Sequence, residues 1–355
     1  DHSDHSTRSL MRVGPIAPTG APLRAINVRM GAAPTSLALL FSTLLVPPDA
    51  VPFDPSFDDF APHPALDAET IAAWPYDPPA GEGTGGLNLA RVEYPAGTPF
   101  TLPFAAGTDL ESDEPESLLE LSAPTTVCKL WESEFADEED MWMSDDLSER
   151  LSMFHNARAC HGDVLVGGLG LGLFAQMLAS NPAVRSMTVV DLSPHVAALA
   201  WPAVERAWRA AGRDDGAAQL VTANIEEALR SSQEERYDAV FLDTWATLSS
   251  ANLPYVNHLR DLALARVRPR GRVLLWGYAF MLHLLAREMH AAASMTAAEA
   301  AEARASHPLP RMLDDLLGAQ LDAADGAAPP MEESRRRAVA HGTALVSPEP
   351  YEVWV

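Results

Sequence analysis

Lysine is almost absent from this 355-residue chain: Lys129 is the only one, and the other basic residues are arginines. Schiff-base and lysine-base chemistry therefore have a single candidate. Positive charge of any kind is scarce, with 25 Lys and Arg against 49 Asp and Glu, a formal net charge of −24. A protein that neutralises phosphates needs a basic face, so neither nucleic acid nor an anionic membrane is an expected partner. Cys128 and Cys160, the only cysteines, allow at most one bridge, which builds no disulfide scaffold and points to a reducing cytoplasm. Long apolar runs are also missing. The run from Leu37 to Val46 is interrupted by Ser42 and Thr43 and closed by Pro47 and Pro48, well short of the ~20 residues of a spanning helix. No small-x-small cleavage pattern follows it closely.

What is present divides the chain into three regions. Apolar residues make up 47%, enough for a sizeable core, and the length suits a large domain with an appendage. Eighteen of the 29 prolines fall in residues 1–124, where long helices are not expected. Residues 1–86 read as a proline-rich arm. Its first ten, DHSDHSTRSL before Met11, look like an added leader, so no metal site is assigned to His2 and His5. Residues 87–146 read as a small β region: LNLARVEYP, TPFTLPFA, SLLELS and TTVCKLWES predict one small antiparallel sheet between about 87 and 133. Between Asp109 and Glu149 there are 15 carboxylates and one basic residue, read as a solvated acidic face, with a lid that selects a cationic substrate as the alternative. Asp146 and Glu149 have the spacing of a capping box and open a helix over 147–159.

Residues 147–355 have an α/β texture. DVLVGG, SMTVVDLS, AAQLVTAN, RYDAVFLDTW and GRVLLWGY are apolar strands without polar alternation, separated by helical segments. Such strands belong to a sheet covered on both faces, the doubly wound arrangement. An Ala-rich helical stretch from Met281 to about Asp325 follows. TALVSP and YEVWV, split by Glu349 and Pro350, then predict a terminal hairpin that brings the mostly parallel sheet to seven strands.

Gly167, Gly168, Gly170 and Gly172 stand where the first of these strands must turn into a helix, a place where glycine lets a ligand approach the backbone. Gly170, Gly172 and Ala175 also satisfy the dinucleotide fingerprint, with Asp191 about 20 residues on. The loop alone therefore leaves a nicotinamide cofactor, another nucleotide and a ligand-free turn open. VLVGGLGLGLFA resembles the first motif of the class I S-adenosylmethionine-dependent methyltransferases, and VVDLSPHV, AAQLVTANIEEAL and YDAVFLDTW resemble the segments that follow it, over about Asp163 to Tyr278. The resemblance implies S-adenosylmethionine as cofactor, held by Gly168, Leu169, Gly170, Gly172, Asp191, Leu192, Asn224, Ile225, Asp243 and Thr244. Asp191 would take the ribose hydroxyls, Asn224 and Ile225 the adenine, and Asp243 a place beside the sulfonium. Two positions depart from the family pattern: Asn224 replaces the commoner Asp, and Val166 stands where an acid often precedes the first glycine.

FLDTW is similar to two branches of that family. Spermidine synthases carry a second acid where this chain has Ala246, so aminopropyl transfer loses its proton acceptor. Catechol O-methyltransferases need a metal-ligand pair where this chain has Gly277 and Tyr278, and a lysine where it has Ala246, so a magnesium site of that kind is not expected. The resemblance thus implies metal-independent methyl transfer to a small molecule or peptide. Asp243 and Tyr255 are the catalytic candidates, and Trp142, Trp245, Trp276 and Tyr278 are expected to face the acceptor. Other sulfonium chemistry, by aminopropyl transfer or intramolecular displacement, and a non-catalytic scaffold are the rival readings. The N-terminal third is expected to cover the cofactor, with Trp131, Trp142 and Met143 near the glycine loop, and a homodimer is among the assemblies the sequence permits.

Overall fold

Apolar residues at every second position give β1 (Leu87–Tyr94) a buried face at its start, with Leu87 and Leu89 inward. It pairs antiparallel with β4 (Thr125–Glu132), Leu87 opposite Glu132 and Tyr94 opposite Thr125, and β4 also pairs with the two-residue β5 (Met143–Ser144). Among the described residues β2 (Pro99–Thr101) and β3 (Leu118–Glu120) pair only with each other. The single small sheet expected from the sequence is therefore two sheets; Pro95 and Pro99, which have no N–H to donate to a ladder, bracket the point where the chain leaves β1.

The α/β region alternates as expected. Asp146 caps α1 (Leu147–Ala159), accepting from Glu149 N at 3.0 Å. There follow β6 (Gly162–Gly167), α2 (Leu173–Ser180), β7 (Val184–Asp191), α3 (Pro194–Ala210), β8 (Ala218–Thr222), α4 (Ile225–Ser231), β9 (Tyr237–Leu242), α5 (Leu253–Leu264) and β10 (Val267–Leu275). All five strands run parallel in the order β10-β9-β6-β7-β8. Alternate residues serve opposite layers: Val164 and Val166 pack with α1, α2 and α3, while Leu165 packs with α4, α5, α6 (Tyr278–Ser294) and α8 (Met331–Gly342). Between the last two lies α7 (Ala297–Ser306). The computed structural model describes residues 51–61, 70–71, 74, 76–80, 86–101, 118–132, 141–231, 236–245, 247–306 and 329–348.

Among the described residues the sheet has five strands where seven were expected. TALVSP forms no strand, because Thr343 ends α8, Ala344 N and Leu345 N bond back to His341 O, and Asn257 Nδ2 draws the Leu345 carbonyl onto α5 at 2.7 Å. YEVWV lies outside the described residues. The free edge of β10 is instead met by the arm: Val273 N donates to Pro52 O at 2.7 Å. Phe53 then packs edge-on to Tyr278 at 5.0 Å, Phe60 edge-on to Trp276 at 6.4 Å, and His155 Nε2 bonds Ala61 O at 2.8 Å. Farther along, Tyr76 Oη donates to Leu171 O, and Asp77 exchanges two hydrogen bonds with the Gln176 amide on α2. The described arm residues lie in the same compact unit as the sheet. Among the described residues no helix is long and apolar enough to cross a membrane.

Asp145 ties the small sheet to α1. Its carboxylate accepts from Cys128 N at 2.7 Å and faces Arg150 at 3.5 Å, while Arg150 Nε donates to the Asp145 carbonyl at 2.7 Å. Burial pushes the Asp145 carboxyl up and Arg150 pulls it back. Removing one partner of a buried pair leaves the other uncompensated, so Arg150→Ala is expected to cost about 3–5 kcal/mol at pH 8 in urea unfolding. The loss should be smaller at pH 5, where the orphaned carboxyl takes up a proton; a loss under about 1 kcal/mol at both pH values would contradict this role.

Candidate functional site

The glycine turn follows β6, the central strand, at the point where strand order reverses: the chain builds β7 and β8 to one side and then crosses to β9 and β10 on the other. Crevices of this kind open at the carboxyl edge of a parallel sheet. Gly168 has φ +93°, and a Cβ there would lie 2.1 Å from the Asp243 carbonyl, so no other residue fits between the two loops. Asp243 N donates to Gly167 O at 2.9 Å, fixing the β9 tip against the turn. On the other side Asp191, at the end of β7, accepts from Leu169 N at 2.7 Å and from Ser193 N at 2.8 Å. Burial raises its carboxyl, and those two amides pull it down. Each of its oxygens keeps lone-pair capacity for further donors.

Around this turn the remaining cofactor candidates assemble. Met143 Sδ lies 3.6 Å from where a Gly170 Cβ would stand, and Gly172 N donates to Leu169 O at 2.9 Å. Leu192 is exposed, and Thr244 is exposed beside Gly168. Asn224 Oδ1 accepts from Glu226 N at 2.8 Å and Glu227 N at 3.3 Å, so its oxygen starts α4 and its Nδ2 is the group left to a ligand. Ile225 is buried against Gly167.

Asp243 is half-buried at the β9 tip and is not alone there. Glu149, Ser152 and Asn156 recur at three- and four-residue spacing and so share one face of α1. Asp59, from the arm, is 1% exposed and its Oδ2 accepts from Ser152 Oγ at 3.0 Å, Asn156 Nδ2 at 2.9 Å and Gly277 N at 3.0 Å. Gly277 sits at the start of α6 with φ +63°, where a Cβ would lie 2.1 Å from Leu248 Cδ2. Burial pushes the Asp59 carboxyl up to about 6 against the pull of those donors. Asp243 is pushed to about 7, by burial first and the charge of Asp59 second. Glu149 is held well above the usual range by burial, then by Asp243, Asp146 and Asp59.

Not every candidate joins this group. Trp276, half-buried, packs between both core layers beside Glu149, and Trp142 is half-buried against the α1 side of the core. Trp245 and Tyr278 are corrections: both are buried in the core of the α5 and α6 layer, and the Tyr278 hydroxyl donates to Asn257 Oδ1 at 2.5 Å, leaving it unavailable to an acceptor. The reason is the left-handed turn at Gly277, which swings the chain into α6 directly. Tyr255 lies on α5 in the company of Glu226, Arg230 and His258, a different set from that around Asp243. Ala246 and the acidic stretch 133–140 lie outside the described residues. Asp59 was missed altogether; FDPSFDDF, a recurrence of phenylalanine inside a proline-rich arm, marks a segment meant to be buried but does not single out this aspartate.

No family model and no curated protein matches the chain. Similar solved structures include precorrin-8w decarboxylase from Methanobacterium thermoautotrophicum, at 21% identity over 34% of this chain and 56% of that one, with a TM-score of 0.25. Spermidine synthase from Thermotoga maritima is similar at 12% identity over 45% and 54%, TM-score 0.31. The Podospora anserina methyltransferase PaMTH1, solved with SAH, is similar at 16% identity over 58% and 72%, TM-score 0.30. The chain thus spans about half the length of the first two. The fold itself is read from the chain: a parallel sheet ordered β10-β9-β6-β7-β8 with a glycine turn after its central strand is a doubly wound arrangement whose switch point lies at β6.

The raised carboxyls fix a sign for pH dependence. Between the ordinary values of 3.8 for Asp and the folded values of about 6 and about 7, the folded state holds more protons than the unfolded one, so these groups lose stability as pH rises. Asp59→Asn is therefore expected to gain about 1–2 kcal/mol in stability relative to wild type on going from pH 5 to pH 8, measured by urea unfolding of both proteins at both pH values. Equal effects at the two pH values would contradict the raised carboxyl.

Proposed function

We propose that the chain is an S-adenosylmethionine-dependent methyltransferase that acts without a metal on a small molecule or peptide. The observation that supports this most is the glycine turn at the switch point, bonded on one side to Asp191 and on the other to Asp243. Bound there, the cofactor supplies a methyl group on a sulfonium that leaves as a neutral thioether, chemistry that gains more from placement than from covalent help. Gly168 and Gly170 admit the ligand to the backbone, and Asp191 receives the ribose hydroxyls. Leu192 and Asn224 flank the adenine, and Thr244 borders the turn. Asp243 faces the reacting end and orients the nucleophile. Phe60, Trp276 and Met143 exclude water from the edge, as transfer of this kind requires.

The test has two arms. Incubation of the chain with S-adenosylmethionine and cell extract should yield S-adenosylhomocysteine; methylthioadenosine instead would point to transfer of the other sulfonium arm. In calorimetry, Asp191→Ala should weaken S-adenosylhomocysteine binding by about 1.5–3 kcal/mol, the usual worth of hydrogen bonds to a charged group. Unchanged affinity in a folded variant would overturn the assignment of Asp191.

A further inference from the structure

We propose that the Asn224 side chain presents the ligand's base with a hydrogen-bond donor and no acceptor, so that the site reads an acceptor on the purine and does not select a 6-amino over a 6-oxo group. This deepens the function proposed above and rests on it, because the base is that of the sulfonium cofactor.

The polarity of the Asn224 amide follows from its neighbours. Its Oδ1 accepts from Glu226 N at 2.8 Å and from Glu227 N at 3.3 Å, and its main-chain carbonyl accepts from Ala228 N at 3.0 Å. Backbone N–H groups only donate, so the amide cannot be turned round: an Nδ2 in that place would set donor against donor. Both Asn224 oxygens are thereby spent on opening α4. What remains for a ligand is Nδ2, a pure donor, on a half-buried side chain.

The strands place that donor beside Asp191. Thr222 lies opposite Asp191 in the ladder of β7 and β8, and Ala223 N donates to Asp191 O at 3.0 Å, so Asn224 follows at the neighbouring strand tip. Leu192, next after Asp191, is 69% exposed, an apolar side chain left uncovered at the same edge. A ligand whose diol is held by Asp191 carries its base, one bond from the ribose, within reach of an apolar surface and a donor. The carboxylates that follow Asn224 do not restore an acceptor. Glu226 Oε1 meets Arg230 at 2.5 Å and His258 Nε2 at 2.9 Å, which ties α4 to α5, and Glu227 is exposed to solvent.

Adenine and hypoxanthine differ at position 6, where an amino donor becomes a carbonyl acceptor, while N7 accepts in both. A donor finds a partner on either base. An acceptor in its place would bond the amino group and meet the carbonyl with like charge, which is how a polar site rejects one of two ligands of the same shape.

Calorimetry of the full chain with S-adenosylhomocysteine and its deaminated counterpart, S-inosylhomocysteine, tests the proposal in wild type, Asn224→Asp and Asn224→Ser. Aspartate keeps the shape and the capping oxygen and replaces only the donor by an acceptor; serine keeps a cap but is too short to reach the base. Wild type should bind the two ligands within fivefold of each other. Asn224→Asp should shift the ratio at least tenfold toward the adenosyl ligand. Asn224→Ser should weaken both ligands at least threefold and leave their ratio unchanged. A wild-type preference of more than fivefold for the adenosyl ligand, or an Asn224→Asp ratio equal to that of wild type, would overturn the proposal and leave the cofactor reading intact. Binding of neither ligand to wild type would contradict the cofactor reading and the proposal with it. The wild-type comparison decides even where a variant fails to fold.

Discussion

A carboxylate removed from water must meet a cation, collect hydrogen bonds or take up a proton. This chain uses all three solutions, and where each is used determines what the molecule can do. At the amino edge of the sheet, Arg185 and Arg268 bind Asp163 and Asp238 together and close the ends of β6, β7, β9 and β10. At the carboxyl edge hydrogen bonds replace cations: Asp59 is held by a serine, an asparagine and a backbone amide, and remains uncompensated in charge. The difference between the two edges separates scaffold from site.

The tether at Asp59 also organises the fold around it. It joins the arm to α1 through Ser152 and Asn156, and to α6 through Gly277, so three parts of the chain distant in sequence meet at one oxygen. Phe53, Phe60 and the Pro52 carbonyl extend that attachment along β10 and the aromatic residues at its end. The arm thereby does what an additional edge strand would have done for the sheet: it covers β10. Asp77 and Tyr76 continue it over the glycine turn through Gln176 and Leu171.

Much of the scaffold was legible in the amino-acid sequence because interior parallel strands are apolar on both faces. VLVGG and AVFLD permit little else. The capping residue Asp146 and the glycine turn were legible for a similar reason, since each depends on local backbone geometry that few residue types satisfy. Asp59 was not legible, because nothing local distinguishes it from Asp58: its role arises from the spacing of Ser152 and Asn156 on a helix 93 residues away. Tyr278 was misplaced because its position just past a strand suggested the open edge, whereas Gly277 reverses the backbone there and sends the ring into the core. The terminal strand expected at TALVSP yielded to helix-end hydrogen bonds and to Asn257, a buried amide whose partners no periodicity reveals.

Asp59 is buried at the carboxyl edge without a counter-charge and raises Asp243, and titration reports this most directly. Carbon-13 carboxyl resonances of the ligand-free chain, followed from pH 3 to 9 in wild type and in Asp59→Asn, should include Asp signals with midpoints near 6 and 7. In the variant the lower of these should vanish and the upper should move down as the charge of Asp59 is removed. If every Asp carbon in the wild-type chain titrates below pH 5, the carboxyl edge is hydrated or neutralised, and the uncompensated burial of Asp59 is contradicted.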